Sequence, residues 1–321
     1  MKKTVSAILA ALLCAAICLS AVSCTGGDGK KTYTVGIVQI VQHVALDAAT
    51  EGFKKALTDK LGEENVVFDY QNASGETTNC TTIVNNFVSK KVDLIMANAT
   101  PALQAAYNAT NKIPILGTSV TEYGVALGID NFNGTVGSNV SGTSDLAPLD
   151  EQAQMILDLF PETKTVGLLY CNAEANSLYQ VKVVEEYLTA KGVTCKRFTF
   201  SDSNDISAVA TKAAADSDVI YIPTDNKAAE AAEIIGNILR AAGKPAIAGE
   251  EGICSKCGVA TLSISYYDLG YKTGEMAAQI LKGEAKIEEM PIQYAPTTKK
   301  YNKEFAEALG VTIPEGYTVI E

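Results

Sequence analysis

From Tyr33 onward the chain alternates between short, β-branched apolar runs and longer stretches with an apolar residue every three or four positions. "YTVGIVQI" (33–40) reads as a buried strand. In the segment after it, Leu46, Ala49, Phe53, Leu57 and Leu61 fall on one helical face. "VVFDY" (66–70), "VDLIMANA" (92–99) and "IPILGTSV" (113–120) continue the series with helical stretches between them. The pattern restarts at "KTVGLLYC" (164–171) and runs through "VTCKRFTF" (193–200), "DVIYIP" (218–223), "PAIAGE" (245–250) and "VATLSIS" (259–265). Apolar strands joined by helical crossovers are expected in parallel sheets covered on both faces. Two such runs predict an α/β chain with two doubly wound parallel-sheet lobes. The stretch "NKAAEAAEIIGNILRAAG" is expected to form one helix closed by Gly243, and "YDLGYKTGEMAAQILKG" one ended by Gly283.

The N-terminal segment stands apart from this pattern. Lys2 and Lys3 precede an apolar run from Val5 to Val22, which ends at "AVSC". This is the layout of a secretory signal cut before Cys24, with Cys24 as the lipidated residue; Ala21 departs from the Leu more usual three positions earlier. An uncleaved membrane anchor is the alternative. Either reading holds the folded part outside the cytoplasmic membrane, and "TGGDGKK" reads as a flexible tether. The chain carries a net charge of −11, two units more negative once Lys2 and Lys3 are removed, which argues against a nucleic-acid partner. Of eight cysteines, Cys80, Cys171, Cys195, Cys254 and Cys257 lie beyond the signal. That odd number excludes complete pairing within one chain. Cys254 and Cys257 form a C-x-x-C that is incidental or a local disulfide; zinc would need two more ligands. No metal or other cofactor is expected.

Motifs for catalysis are lacking: there is no G-x-S-x-G, H-E-x-x-H, P-loop or G-x-G-x-x-G. His43 is the one histidine, so a Cys–His pair would have to join it to Cys171. "SDSNDIS" (201–207) lacks the glycine and closing glutamate of a calcium loop and reads better as a helix cap. Polar tails follow the apolar strands instead: Gln39 to His43, "ATP" (99–101), "GTSVT" (117–121), "YCNAEANS" (170–177), "PTDN" (223–226) and "GEEG" (249–252). In open parallel sheets the ligand crevice lies at the carboxyl ends of the strands. These tails therefore predict a lined cleft. A small zwitterion would find an anion in Asp225 for its ammonium, and hydroxyls and helix N-termini for its carboxylate. The competing role for Asp225 or Asn226 is to cap the helix from Lys227, and Ser144 or Asp145 could simply begin a helix. Tyr266 and Tyr267 are core or rim aromatics, of which an extended stretch would turn only one to the cleft. The absence of Trp weighs against a sugar ligand.

The segments "GIVQIVQHVALDAATEGFKKAL", "YQNASGE", "VDLIMANATPALQAAYNAT", "YCNAEANSLYQV", "YIPTDN" and "YYDLGYKTGEMAAQILKG" together resemble the extracytoplasmic ABC-transporter substrate-binding lipoproteins of the tryptophan/tyrosine-type family. The resemblance implies a type I periplasmic-binding-protein fold with two lobes joined by three crossovers, near 141–145, 250–254 and Met290. Its domains would be a signal peptide (1–23), a lipidated tether (24–32), a first lobe (33–143 with 254–290) and a second lobe (144–253 with 291–321). It implies ligand contacts from Gln39, His43, Thr100, Thr118, Ser119, Thr121, Ser144, Asp145, Glu174, Asn176, Ser177, Thr224, Asp225, Asn226 and Glu250. Val44, where the family often has Pro, and the "CSKC" segment depart from its pattern. The implied function is capture of an amino acid, aromatic by analogy, by a monomer anchored at the outer face of the cell membrane. The captured amino acid would pass to an ABC permease and its cytoplasmic ATPase. Other small solutes, such as a nucleoside or short peptide, are the alternative, followed by a hydrolase or transferase using His43.

Overall fold

The computed structural model describes residues 31–202 and 204–320. The expected signal, the lipidation site Cys24 and most of the tether lie outside them. Two sheets organise the described chain. In the first, strands β1 (Tyr33–Gln39), β2 (Val66–Asn72), β3 (Leu94–Asn98), β4 (Ile115–Val120) and β5 (Val140–Ser144) run parallel in the order β5-β4-β3-β1-β2. The second contains β6 (Thr165–Cys171), β7 (Thr194–Phe200), β8 (Val219–Ile222), β9 (Ala246–Ala248) and β10 (Ala260–Ser263), parallel in the order β10-β9-β8-β6-β7. Short C-terminal strands extend both edges. β11 (Gln293–Tyr294) pairs with β5, β12 (Thr298–Tyr301) pairs antiparallel with β10, and β13 (Thr318–Val319) pairs with β12.

The central strands β1, β3, β6 and β8 are largely apolar because helices cover both faces. One face of the first sheet packs Val38 and Ile95 against Val84, Phe87 and Leu103; the other packs Val35, Ile37 and Met96 against Phe53, Leu57 and Met276. The second sheet is covered in the same way, by Ile206, Ala210, Ile235 and Leu239 on one side and Ile156, Val181, Val184 and Leu188 on the other. Gly36 is required within β1, since a Cβ there would lie 2.6 Å from the Phe87 ring.

The chain passes between the lobes three times, but two passages differ from expectation. The first follows Ser144, the end of β5. The second does not occur near 250–254: a helix at Glu251–Cys257 and the strand β10 stay with the second sheet, and the chain leaves after Ser263. The third falls between Tyr294 and Thr298 rather than near Met290, because β11 still pairs with β5. The Ser141 hydroxyl of β5 donates to the Met290 carbonyl (2.9 Å), which keeps the segment before β11 on the first lobe.

Other local expectations are modified. The single helix expected after Asn226 is split at Ala231 into Asn226–Glu230 and Ala232–Ala241. At the acidic 201–207 stretch, Asp205 occupies the N-cap of the helix Ile206–Asp216 without a side-chain bond to it. Cys254 and Cys257 are buried free thiols.

Candidate functional site

The carboxyl ends of the two sheets meet in a cleft, and a narrow cavity lies between them. From the first lobe it is lined by His43, Leu46, Ser119 and Thr121, and from the second by Asn176, Thr224, Asp225, Asn226, Ala229 and Glu250, with Asp145 and Tyr266 at the interlobe linkers. Most of the expected polar strand tails therefore converge on one space.

Each tail is held by a specific local device. His43 is the N-cap of helix α1 (Val44–Leu61) but makes no side-chain capping bond. Burial pushes its imidazole down to about 4, so it is neutral at physiological pH, and its Nε2 has no partner. Ser119 has a left-handed backbone (φ 54°), and its buried hydroxyl is also unpartnered. Asp145 follows β5 and is 5% exposed. Its Oδ2 accepts from the Tyr266 hydroxyl (2.9 Å); Oδ1 makes no hydrogen bond of good geometry, although the Thr121 hydroxyl lies close enough to the carboxyl to favour its ionised form. Burial raises its pKa, and the Tyr266 and Thr121 hydroxyls act in the opposite direction.

Asp225 is held by its own lobe. Its Oδ1 accepts from the Ala228 N–H (2.8 Å) and caps the short helix after it, while its Oδ2 accepts from the Cys171 N–H and the Ser177 hydroxyl, both at 2.7 Å. Both oxygens serve the second lobe, and the capping alternative describes Asp225. Glu174 reinforces the same helix end, accepting from the Asn226 and Lys227 backbone N–H groups and from the Asn226 amide (2.6 Å). Burial raises the pKa of both carboxyls, and each one's charge disfavours ionisation of the other. Glu250 caps the helix Glu251–Cys257 by accepting from the Gly252 and Ile253 N–H groups, and burial pushes it up to about 7.

Several expected contacts are consumed inside the fold. Gln39 donates to the Val41 carbonyl and Asp47 and accepts from Thr50. The Thr118 hydroxyl joins a buried chain through Thr143 to Thr273. Ser144 donates to the Thr121 carbonyl. Gln39, Thr118, Ser144, Ser177 and Thr100 do not line the cavity. Thr100 nonetheless keeps an unpartnered, buried hydroxyl at the start of the helix Thr100–Ala109. Glu174 instead faces a wider hollow at the outer edge of the cleft, where Lys227 of the second lobe reaches toward Glu76 of the first (3.8 Å). Cys171 cannot serve as a nucleophile as placed. Its thiol donates toward the Ser201 carbonyl, and burial pushes its pKa up to about 12.

Leu46, Ala229 and Tyr266 were not among the expected contacts. For Tyr266 a signal was present. "SYYD" has the spacing of a helix start, and Ser265 accepts from the Asp268 N–H (3.2 Å). Tyr266 and Tyr267 thus begin a helix rather than an extended stretch, which buries the first and leaves the second 41% exposed.

Two α/β lobes linked three times, with a polar cavity between their strand ends, define a two-lobed solute-binding protein. Residues 34–320 match the family model described as ABC transporter substrate binding protein, and the chain belongs to that family, one of binding proteins rather than enzymes. Over 267 residues it is 37% identical to a tyrosine-binding protein of Clostridioides difficile, covering 83% of this chain and 77% of the relative. Among solved structures it is similar to an ABC domain from Streptococcus pneumonia in complex with L-Trp, with a TM-score of 0.85 and 30% identity, covering 90% of this chain and all of the other. It also resembles a ligand-free, open structure of a substrate binding protein with adhesive properties from Clostridium difficile, with a TM-score of 0.69 and 37% identity, covering 90% of this chain and 99% of the other. The fold is that of the type I periplasmic binding proteins.

Proposed function

We propose that this chain is the extracytoplasmic receptor of an ABC importer, held at the outer face of the membrane by lipid on Cys24, and that it captures an aromatic amino acid for delivery to the permease. The observation that carries the ligand reading is Asp145. It is a buried carboxylate on the wall of the interlobe cavity, with one oxygen lacking a partner and no lysine or arginine buried among the described residues. An unpaired buried carboxylate is costly, and a ligand ammonium relieves that cost. The unpartnered Ser119 hydroxyl suits the ligand carboxylate. Leu46, His43 and Tyr266 offer apolar and aromatic surface for its side chain.

The comparisons support closure on the ligand. The chain superposes better on the L-Trp complex than on the open relative, although the open relative is closer in sequence. Rotation of two preserved lobes lowers a global superposition in this way, as hinge closure does.

Calorimetry with the twenty amino acids tests the reading. Tyrosine, tryptophan or phenylalanine should bind tightest, and Asp145→Asn should weaken that binding by ~2–5 kcal/mol. If no amino acid binds more tightly than about millimolar, ~4 kcal/mol, the reading fails.

A further inference from the structure

Four atoms on the cavity wall lack partners: Asp145 Oδ1, Asn176 Oδ1, the Ser119 hydroxyl and His43 Nε2. Asp145 Oδ1 and Asn176 Oδ1 both lack partners, and both residues are 5% exposed. The Asn176 amide is oriented by its other end, since Nδ2 donates to the Thr224 carbonyl (2.9 Å) and to Glu174 Oε2 (3.2 Å). Reversing the amide would set its oxygen against both acceptors. These two oxygens are therefore acceptors awaiting a donor, whereas the Ser119 hydroxyl and the neutral His43 ring carry no charge. They also come from opposite sides of the hinge: Asp145 follows β5 of the first sheet, and Asn176 lies in the first turn of the second-lobe helix Ala175–Ala190. A carboxylate in the same cavity would meet uncharged donors such as Ser119, and no buried lysine or arginine.

From this asymmetry we infer that a primary ammonium bridging Asp145 and Asn176 is the group that holds the lobes together, so that the site selects for a free primary amine more strongly than for a carboxylate. The inference rests on the amino-acid reading and narrows its ligand class to primary amines carrying an aromatic side chain. A primary ammonium has three N–H donors and can serve both lobes at once. N-acylation removes its charge and leaves one N–H, stranding a buried carboxylate. Decarboxylation leaves only neutral donors without a partner, and water can serve those.

The test is calorimetry of the unaltered protein with tyrosine, tyramine and N-acetyltyrosine, repeated with tryptophan, tryptamine and N-acetyltryptophan. The amine should bind within ~100-fold of its parent amino acid, and the N-acetyl form should lose more than ~100-fold. The inference is overturned if the parent binds and the N-acetyl form binds comparably, or if the amine loses as much as the N-acetyl form. In either case the amino-acid reading survives. If neither the parents nor the amines bind, both the inference and the reading beneath it fall.

Discussion

Ala99 has φ 86° and ψ 159°, a combination that glycine alone enters freely. Its N–H donates to the Thr118 carbonyl (3.0 Å), next to Ser119, which has its own positive φ. The ends of β3 and β4 are thus bent where they approach the cleft. Ala99→Gly should relieve the first distortion and raise the unfolding free energy by about 1 kcal/mol after the entropy cost of glycine. Urea denaturation checks this, and unchanged or reduced stability would show that the bend stores no strain. The two aspartates separate by a different measurement. Asp225→Asn places an amide against the Cys171 N–H or the Ala228 N–H and should lower stability by about 1–3 kcal/mol. Asp145→Asn should act mainly on ligand affinity. If Asp225→Asn left the denaturation midpoint intact and abolished binding, the two assignments would be reversed.

At the scale of elements, the site depends on how α1 meets the helix Tyr266–Lys282. Their backbones touch through small residues. A Cβ on Gly270 would lie 1.9 Å from the Ala49 carbonyl oxygen, and one on Gly52 would lie 2.1 Å from the Tyr267 carbonyl oxygen. No rotamer change relieves a clash with backbone, so an added methyl must move a helix. Ala45, Ala49, Ile264, Tyr266 and Leu269 form the small core at this junction, which carries Tyr266 to the cleft. Gly270→Ala should therefore cost about 1–3 kcal/mol and weaken ligand binding together with it. A melting temperature equal to that of the parent protein would show that the helices can separate freely.

Across the whole molecule, buried carboxyls make stability and binding depend on pH. Glu250 titrates at about 7 in the fold against 4.5 ordinarily. Between those values the folded protein holds a proton that the unfolded chain has released. The resulting stabilisation is complete below 4.5 and is lost as pH rises through about 7, worth up to about 3 kcal/mol. Burial shifts Glu174, Asp225 and Asp145 in the same direction. His43, lowered from 6.5 to about 4, contributes in the opposite sense: its stabilisation is present above 6.5 and lost as pH falls through about 4. The ligand-free protein should thus lose thermal stability between about pH 5 and pH 8, and Glu250→Gln should flatten that decline. An identical slope in the variant would remove Glu250 from the account. Ligand affinity should rise over the same interval, because an ammonium favours ionised carboxyls.

The sequence by itself determined the two lobes, their parallel sheets and the polar character of the strand ends. These follow from local periodicity, because an apolar run flanked by helical crossovers has few ways to bury itself. It also located most of the cleft wall, since strand ends after such runs must face the crevice. The distribution of hydrogen bonds was decided by tertiary structure. The partner that occupies Asp225 is Cys171, 54 residues away, and the hydroxyl that leaves half of Asp145 free belongs to Tyr266, 121 residues away. Asp225 is hydrogen-bonded at both oxygens, and Gln39 is likewise absorbed by Asp47 and Thr50, whereas Asp145 keeps one oxygen without a hydrogen-bond partner. A buried polar atom is available only if nothing across the fold reaches it, and local spacing carries no record of those distant neighbours.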